Sequence, residues 1–312
     1  MRVEQLIKMI NEIKEKGNDI LWWKGCFIRH VVGRYYRSKP NKGIYVMNED
    51  WDNLIILDAC RYDTFIEVTG LKCDYRISRG SQTAEFLQEN FAGRTFNDTI
   101  YITANPYVNL ICKGSFYKII PVWKFGWNEK IGTVPPKEVV KYALKTEKDF
   151  HDKRLIIHFI QPHYPYIRDL ELCFSILQKT REKNLNINPI SLIRSGNPFN
   201  LFIEIEKGNL DIETVYAAYK RNLKAVLPYA FKLANKLKGK TVITSDHGEA
   251  FGEFALPFPI RVFEHPPYVH IPVLVKVPWL VFDSKERKEI KANDEKHKIK
   301  FHIRKLKEKG KI

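Results

Sequence analysis

Paired cysteines are missing from this 312-residue sequence: its five, Cys26, Cys60, Cys73, Cys112 and Cys173, are odd in number, irregularly spaced and without a Cys-x-x-Cys pair. That argues against a disulfide scaffold and against a structural zinc knuckle. Long apolar runs are missing too. No stretch reaches the roughly 20 apolar residues needed to span a bilayer. The opening Met1-Arg2-Val3-Glu4-Gln5-Leu6-Ile7-Lys8 is charged and amphipathic, without a signal peptide's apolar core. These absences predict a cytoplasmic protein, with peripheral membrane contact as the alternative. There is no internal repeat, no long low-complexity tract and no RNA- or DNA-reading motif, so no specific nucleic-acid partner is expected.

What is present belongs to a folded globular chain, 44% hydrophobic and 13% aromatic, long enough to bury a substantial core in one or two domains. Lys and Arg number 52 against 36 Asp and Glu, a formal charge of +16. Much of the excess lies between Lys285 and Lys311, which reads as a solvated basic helix. The remainder suits an anionic partner: a small molecule, a glycan or a lipid head group.

Five apolar runs read as buried strands, Leu54–Leu57, Ile100–Thr103, Leu155–Ile160, Thr241–Thr244 and Val273–Val275. Helical patterns at Pro136–Leu144 and Val215–Leu237 separate several of them. Strands alternating with helices predict an α/β fold, a mostly parallel sheet covered by helices on both faces. Residues 1–44 read as an N-terminal helical extension, 45–282 as the catalytic domain and 283–312 as a basic C-terminal helical tail. The weakly patterned 171–211 is too long for an ordinary connection and reads as an insertion or lid near the active-site edge. Within the extension, Ile20-Leu21-Trp22-Trp23-Lys24 through His30 mixes tryptophan with base. Packing on the outside of the domain is the expected role and interfacial membrane contact the alternative.

Two segments carry the chemistry. Asp58 follows the apolar run Asn53–Leu57, and Asp246-His247 follows Thr241–Thr244. Both therefore belong at the carboxyl ends of buried parallel strands, where open α/β sheets place ligands. Two carboxylates and an imidazole on one such edge are ligands for a divalent cation, which points to a metal-dependent hydrolase.

The sequence resembles the alkaline phosphatase/sulfatase superfamily, in particular short archaeal sulfatase-like proteins. The resemblance rests on Asp50–Asp63, Phe125-Gly126-Trp127-Asn128, Gln161-Pro162-His163-Tyr164-Pro165-Tyr166, Ser245-Asp246-His247-Gly248-Glu249, and His265-Pro266 followed by Val277-Pro278-Trp279-Leu280, in family order across most of the chain. It implies an alkaline-phosphatase-like fold with Asp58, Asp246 and His247 on the metal. It also implies a nucleophile at the start of a helix, where Ser78-Arg79-Gly80-Ser81-Gln82-Thr83 stands. Thr83 is the residue so placed, as nucleophile and metal ligand, with Ser81 as the fallback. By the same resemblance His163 faces the substrate and His265 is its counterpart. Arg61 and Arg79 are candidate clamps for a tetrahedral anion. His158, inside an apolar strand, reads as a core histidine.

The Cys/Ser-x-Pro-x-Arg signature that gives dedicated sulfatases their formylglycine is absent, since Cys60 is followed by Arg61-Tyr62. The implied activity is therefore hydrolysis or transfer at a phosphate ester or diester, as a phosphatase or phosphodiesterase, with manganese or zinc favoured over calcium. The alternatives are a sulfate-ester hydrolase working without formylglycine and a catalytically silent module binding an anionic glycan or lipid head group.

Overall fold

The computed structural model describes residues 12–173, 201–284 and 286–292. Among them, a seven-stranded sheet has the order β2-β9-β6-β1-β5-β3-β4. Its members are β1 (Asn53–Leu57), β2 (Asp74–Ile77), β3 (Phe96–Thr103), β4 (Phe116–Pro121), β5 (Arg154–Phe159), β6 (Thr241–Thr244) and β9 (Lys276–Phe282). A separate hairpin pairs β7 (Ala250–Phe254) with β8 (Arg261–Glu264). Five consecutive strands, β6-β1-β5-β3-β4, run parallel; β9 lies antiparallel to β6 and to β2. Strand β1, Asn-Leu-Ile-Ile-Leu, is buried at every position, as a near-continuous apolar run must be when helices cover both faces.

Period-2 alternation divides the sheet's side chains between two cores. Ile55, Leu57, Ile100, Ile102, Leu155, Ile157 and Phe159 pack beneath α3 (Tyr62–Thr69), α6 (Pro136–Asp149) and α8 (Ile212–Lys236). Leu54, Ile56, Tyr101, Ile156 and Val242 pack on the other side beneath α4 (Thr83–Asn90) and α5 (Tyr107–Ile111). This is the mostly parallel sheet with helices on both faces that the strand and helix pattern predicts.

The N-terminal segment forms α1 (Ile20–Phe27), a π-helical turn at Ile28–Val32 and α2 (Gly33–Arg37). It is tied to the hairpin: Val32 is buried with Ala250, Val262 and Val269. Beyond the sheet come α7 (Leu201–Glu206) and a single helical turn, α9 (Pro272–Val275). That turn corrects the strand expected at Val273–Val275. Pro272 occupies its first position, where a fixed φ favours helix, and the strand begins only at Lys276. The turn has a use: Gly248 donates its N–H to Leu274 O at 2.8 Å, and a Cβ on Gly248 would overlap the Val273 carbonyl oxygen.

Most of the expected 171–211 insertion, the first residues of the N-terminal helix and the larger part of the basic tail lie outside the described residues. Of the tail, residues 283–284 and 286–292 are described and form no helix. Here Lys288 Nζ reaches Glu147 Oε2 at 2.5 Å and Asn53 Oδ1 at 2.8 Å, fastening this segment beside the amino-terminal end of β1.

Candidate metal and phosphoester site

Parallel β1 and β6 are neighbours in register, Ile56 opposite Thr244, so the residues that follow them emerge side by side. Asp58, Asp246 and His247 are buried, and one ligand atom from each lies within 4.8 Å of the others. The sharp turn after β1 is held in place by its neighbours. Ala59 sits at φ 58, a left-handed conformation that L residues avoid. Its N–H donates to Asp246 Oδ1 at 3.2 Å, and its carbonyl accepts from Tyr219 of α8 at 2.6 Å. Ser245 Oγ accepts the Cys60 N–H at 2.8 Å, joining the two turns again.

Thr83 opens α4 as its first helical residue, and Gln82 is the N-cap. The hydroxyl does not cap the helix. It lies 2.8 Å from Asp246 Oδ2 and 3.2 Å from His247 Nε2, so the sequence-expected Thr83 joins the three others. Ser81 is otherwise engaged, its hydroxyl 2.8 Å from Pro266 O and 3.0 Å from Glu85 Oε2. His247 places Nδ1 2.7 Å from Gly248 O, which accepts the ring N–H and leaves the Nε2 lone pair facing the carboxylates. Burial lowers the His247 pKa against the pull of Asp246, favouring the neutral ring that a cation needs.

Two buried polar atoms in this nest have no hydrogen-bond partner, Asp58 Oδ1 and His158 Nε2. Unsatisfied buried groups of this kind are rare unless something else occupies the space. The donor set of two carboxylates, a hydroxyl and an imidazole, with an orphaned carboxylate oxygen among them, can hold a divalent cation. Burial would raise the Asp58 pKa, but the His158 ring beside it, with the His163 and His247 imidazoles nearby, outweighs this and holds the carboxyl below its ordinary range.

His158 corrects the core-histidine expectation. Its Nδ1 meets the Tyr101 hydroxyl at 3.0 Å, while Nε2 stands 3.5 Å from Asp58 Oδ2 and 3.8 Å from Asp246 Oδ2. Alternation puts it on the same face as Ile156, beneath α4, and thus under Thr83. Asn105, just past β3, donates to Asp58 Oδ2 at 2.7 Å. Neither role was read from the sequence; the available signals were the strand parity of His158 and the polar Thr103 and Asn105 at a strand end.

A second cluster adjoins the first. His163, Glu249 and His265 have ligand atoms within 4.8 Å of one another, and the His247 and His265 ring centroids are 4.6 Å apart. Glu249 received no role from the sequence although it closes the Ser245–Glu249 motif. Its Oε1 is 2.9 Å from His265 Nδ1. Burial works against a charged His265, yet Glu249, through charge and hydrogen bond, and Glu264 behind it push the ring's pKa up to about 9.

Arg61 and Arg79 are placed elsewhere. Arg61 is engaged by Asp63 and Glu253 at 2.6 Å each, and Arg79 by Glu89 at 3.0 Å while stacking on Tyr45. Neither lines the cavity above the site. That cavity, about 1070 Å³, is lined by Asp58, Thr83, His163 and His265 at one end and by Trp22 and Phe202 among others farther out. Its cations are Lys16, Lys24, Arg29 and Lys207.

No family model and no curated protein matches the sequence. Among solved structures, the chain is similar to the integral membrane protein lipooligosaccharide phosphoethanolamine transferase A from Neisseria meningitidis, at 14% identity and TM-score 0.48 over 75% of this chain and 47% of that one. The chain thus spans less than half of that protein. The soluble domain of the same enzyme matches at 16% identity and TM-score 0.48, over 75% of this chain and 76% of that one. The C-terminal periplasmic domain of EcEptC from Escherichia coli, in complex with Zn, matches at 15% identity and TM-score 0.40, over 75% and 72%. The first two bear the name of a phosphoethanolamine transferase, and none of the three that of an archaeal sulfatase-like protein. The expected cytoplasmic location is corrected: the neighbours are an integral membrane protein and a periplasmic domain, and a charged opening segment does not define a compartment. No helix among the described residues is long and apolar enough to cross a membrane.

Proposed function

We propose that this chain is a metal-dependent hydrolase or transferase of phosphate esters and diesters, with Thr83 as the nucleophile. The observation that carries the reading is the Thr83 hydroxyl, turned away from its own helix backbone and set 2.8 Å from Asp246 and 3.2 Å from His247. Asp58, Thr83, Asp246 and His247 would hold the cation, with zinc or manganese suiting the mixed oxygen and imidazole set. When bound, the cation supplies positive charge beside the hydroxyl and the ester's non-bridging oxygens.

The side chains then divide the work. Asp246 Oδ2 is the nearest acceptor for the Thr83 proton. The freed oxygen attacks phosphorus, forming a threonine O–P bond as the ester's P–O bond breaks. His265, kept protonated by Glu249, donates to the departing alcohol oxygen, and His163 faces the same space. Water, or a second alcohol in a transferase, then takes the phosphoryl group from Thr83.

A panel of chromogenic phosphate monoester, phosphate diester and sulfate ester substrates, run with zinc, manganese and calcium, tests this. Phosphate-ester turnover that requires metal and disappears in Thr83→Ala is the expected result. Faster sulfate than phosphate turnover, or full activity in Thr83→Ala, would overturn it.

A further inference from the structure

Helix α1 and its continuation through α2 have two faces. Leu21, Trp22, Gly25 and Ile28 turn inward to line the cavity that also holds Thr83 and His163. The opposite face is largely uncovered by the described residues. Ile20 is 78% exposed, Trp23 46%, Phe27 40% and Val31 43%, at spacings of three and four residues that align them in one stripe. Next to it lies the β7–β8 hairpin, joined to the helix by the Phe27–Phe258 ring contact at 5.9 Å and by Tyr36 Oη donating to Leu256 O at 2.5 Å. That hairpin adds Leu256, 71% exposed, and Phe254, 48% exposed. Exposed apolar residues scattered singly are ordinary, whereas a contiguous stripe marks an interaction surface.

The charge pattern selects the partner. From Ile20 to Lys39 the chain carries Lys24, Arg29, Arg34, Arg37 and Lys39 and no acidic residue. Lys24 is tied to Glu206 and Arg29 lines the cavity, which leaves Arg34, Arg37 and Lys39 as exposed cations outside it. A second copy docked on this face would set these cations against their own counterparts, which repel. We infer that the stripe formed by Ile20, Trp23, Phe27 and Val31 with its flanking arginines is a docking surface for an anionic phospholipid membrane. Apolar side chains enter the boundary between head groups and acyl chains, tryptophan sits at head-group level, and the arginines meet lipid phosphates. Because the same helix lines the cavity with its other face, docking brings the cavity wall to the membrane surface. The inference stands on exposure and charge and does not depend on the phosphoester chemistry.

The test is co-sedimentation of the full chain with vesicles of phosphatidylcholine, with and without phosphatidylglycerol, for wild type and for Ile20→Glu/Val31→Glu. Neither side chain supports the core, and an unchanged unfolding midpoint verifies the fold. Wild type should bind the phosphatidylglycerol vesicles, more weakly as salt rises, and the double variant should bind about tenfold less or weaker still. Three results would overturn the proposal. The wild type fails to bind; the double variant binds as well as wild type, so that another basic segment carries binding; or the substitution converts a dimer to a monomer, making the stripe a contact between copies.

Discussion

Tyr219 clamps Ala59: the phenol, reaching across from α8, donates to the Ala59 carbonyl at 2.6 Å and accepts the Arg61 N–H at 3.0 Å. One buried hydroxyl thereby satisfies both sides of the left-handed turn that follows Asp58. An αL conformation costs a non-glycine residue about 1–3 kcal/mol and persists only where its surroundings impose it.

Tyr219→Phe should therefore destabilise the fold by about 1–3 kcal/mol, since a buried carbonyl and a buried N–H lose their partner. It should also weaken metal binding, because the turn sets where Asp58 points. Urea unfolding and a zinc titration of the same variant provide the check. A loss of stability with unchanged zinc affinity would separate the turn from the site.

Asp246→Asn should abolish metal-dependent turnover and leave the fold nearly intact. The amide oxygen can still accept the Ala59 and His247 N–H groups that Asp246 Oδ1 now holds. The Oδ2 charge facing Thr83 is lost. In wild type, added zinc or manganese should raise the unfolding midpoint, as any ligand of the native state does, and chelation should reverse the rise. Neither addition nor chelation should move the midpoint of Asp246→Asn. A midpoint that rises equally in both would place the cation elsewhere.

Thr83→Ala should lower turnover at least about a thousandfold and remove a covalent phosphothreonine, while substrate binding changes little. Thr83→Ser should retain part of the rate, because it keeps the oxygen. Quenched-flow trapping of labelled enzyme distinguishes the two. Since Gln82 and not Thr83 is the N-cap, the alanine variant has no capping bond to lose, and reduced stability with normal turnover would contradict the placement.

Glu85 provides a pH prediction. It is buried on α4, two residues past Thr83, and holds the Ser81 N–H and hydroxyl, the Tyr268 N–H at 3.2 Å and His270 Nε2 at 2.7 Å. It thus ties the start of α4 to the loop that carries His265. Burial would raise its pKa, but His270 and the Ser81 bonds prevail and lower it. A carboxyl whose native pKa is depressed stabilises the fold above its unfolded value, about 4.3, and that contribution drains away as pH falls through the native value. Wild type should accordingly lose stability in acid over that window. Glu85→Gln should lose about 1–3 kcal/mol near neutral pH and respond less steeply to acid. Parallel acid dependence in the two proteins would remove Glu85 from this role.

Much of the site was legible along the chain because its parts sit at strand ends. An apolar run followed by an acid is a local pattern, and parallel pairing then carries each such acid to the same edge. Asp58, Asp246 and His247 were placed together on that ground, and Thr83 by resemblance to a family motif. His158 was missed because a strand histidine flanked by apolar residues looks the same whether its ring meets a core or a nest of carboxylates. Only the register of β5 beneath α4 decides that. Arg61 and Arg79 show the converse: basic residues beside a motif suggested anion clamps, whereas Asp63 two positions on, Glu89 across a helix and Glu253 from the distant hairpin engage them.

The sequence by itself determined the α/β class, the order of the central elements and the strand-end origin of the metal-ligand candidates, because burial periodicity and turn chemistry are written in neighbouring residues. Tertiary structure alone decided that Tyr219 locks the Asp58 turn, that Glu249 pairs with His265, that the turn at Pro272–Val275 receives Gly248, and that one face of α1 closes the cavity while the other stands open. Each of these depends on contacts between residues far apart in the chain, where distance and desolvation, not composition, set the energy.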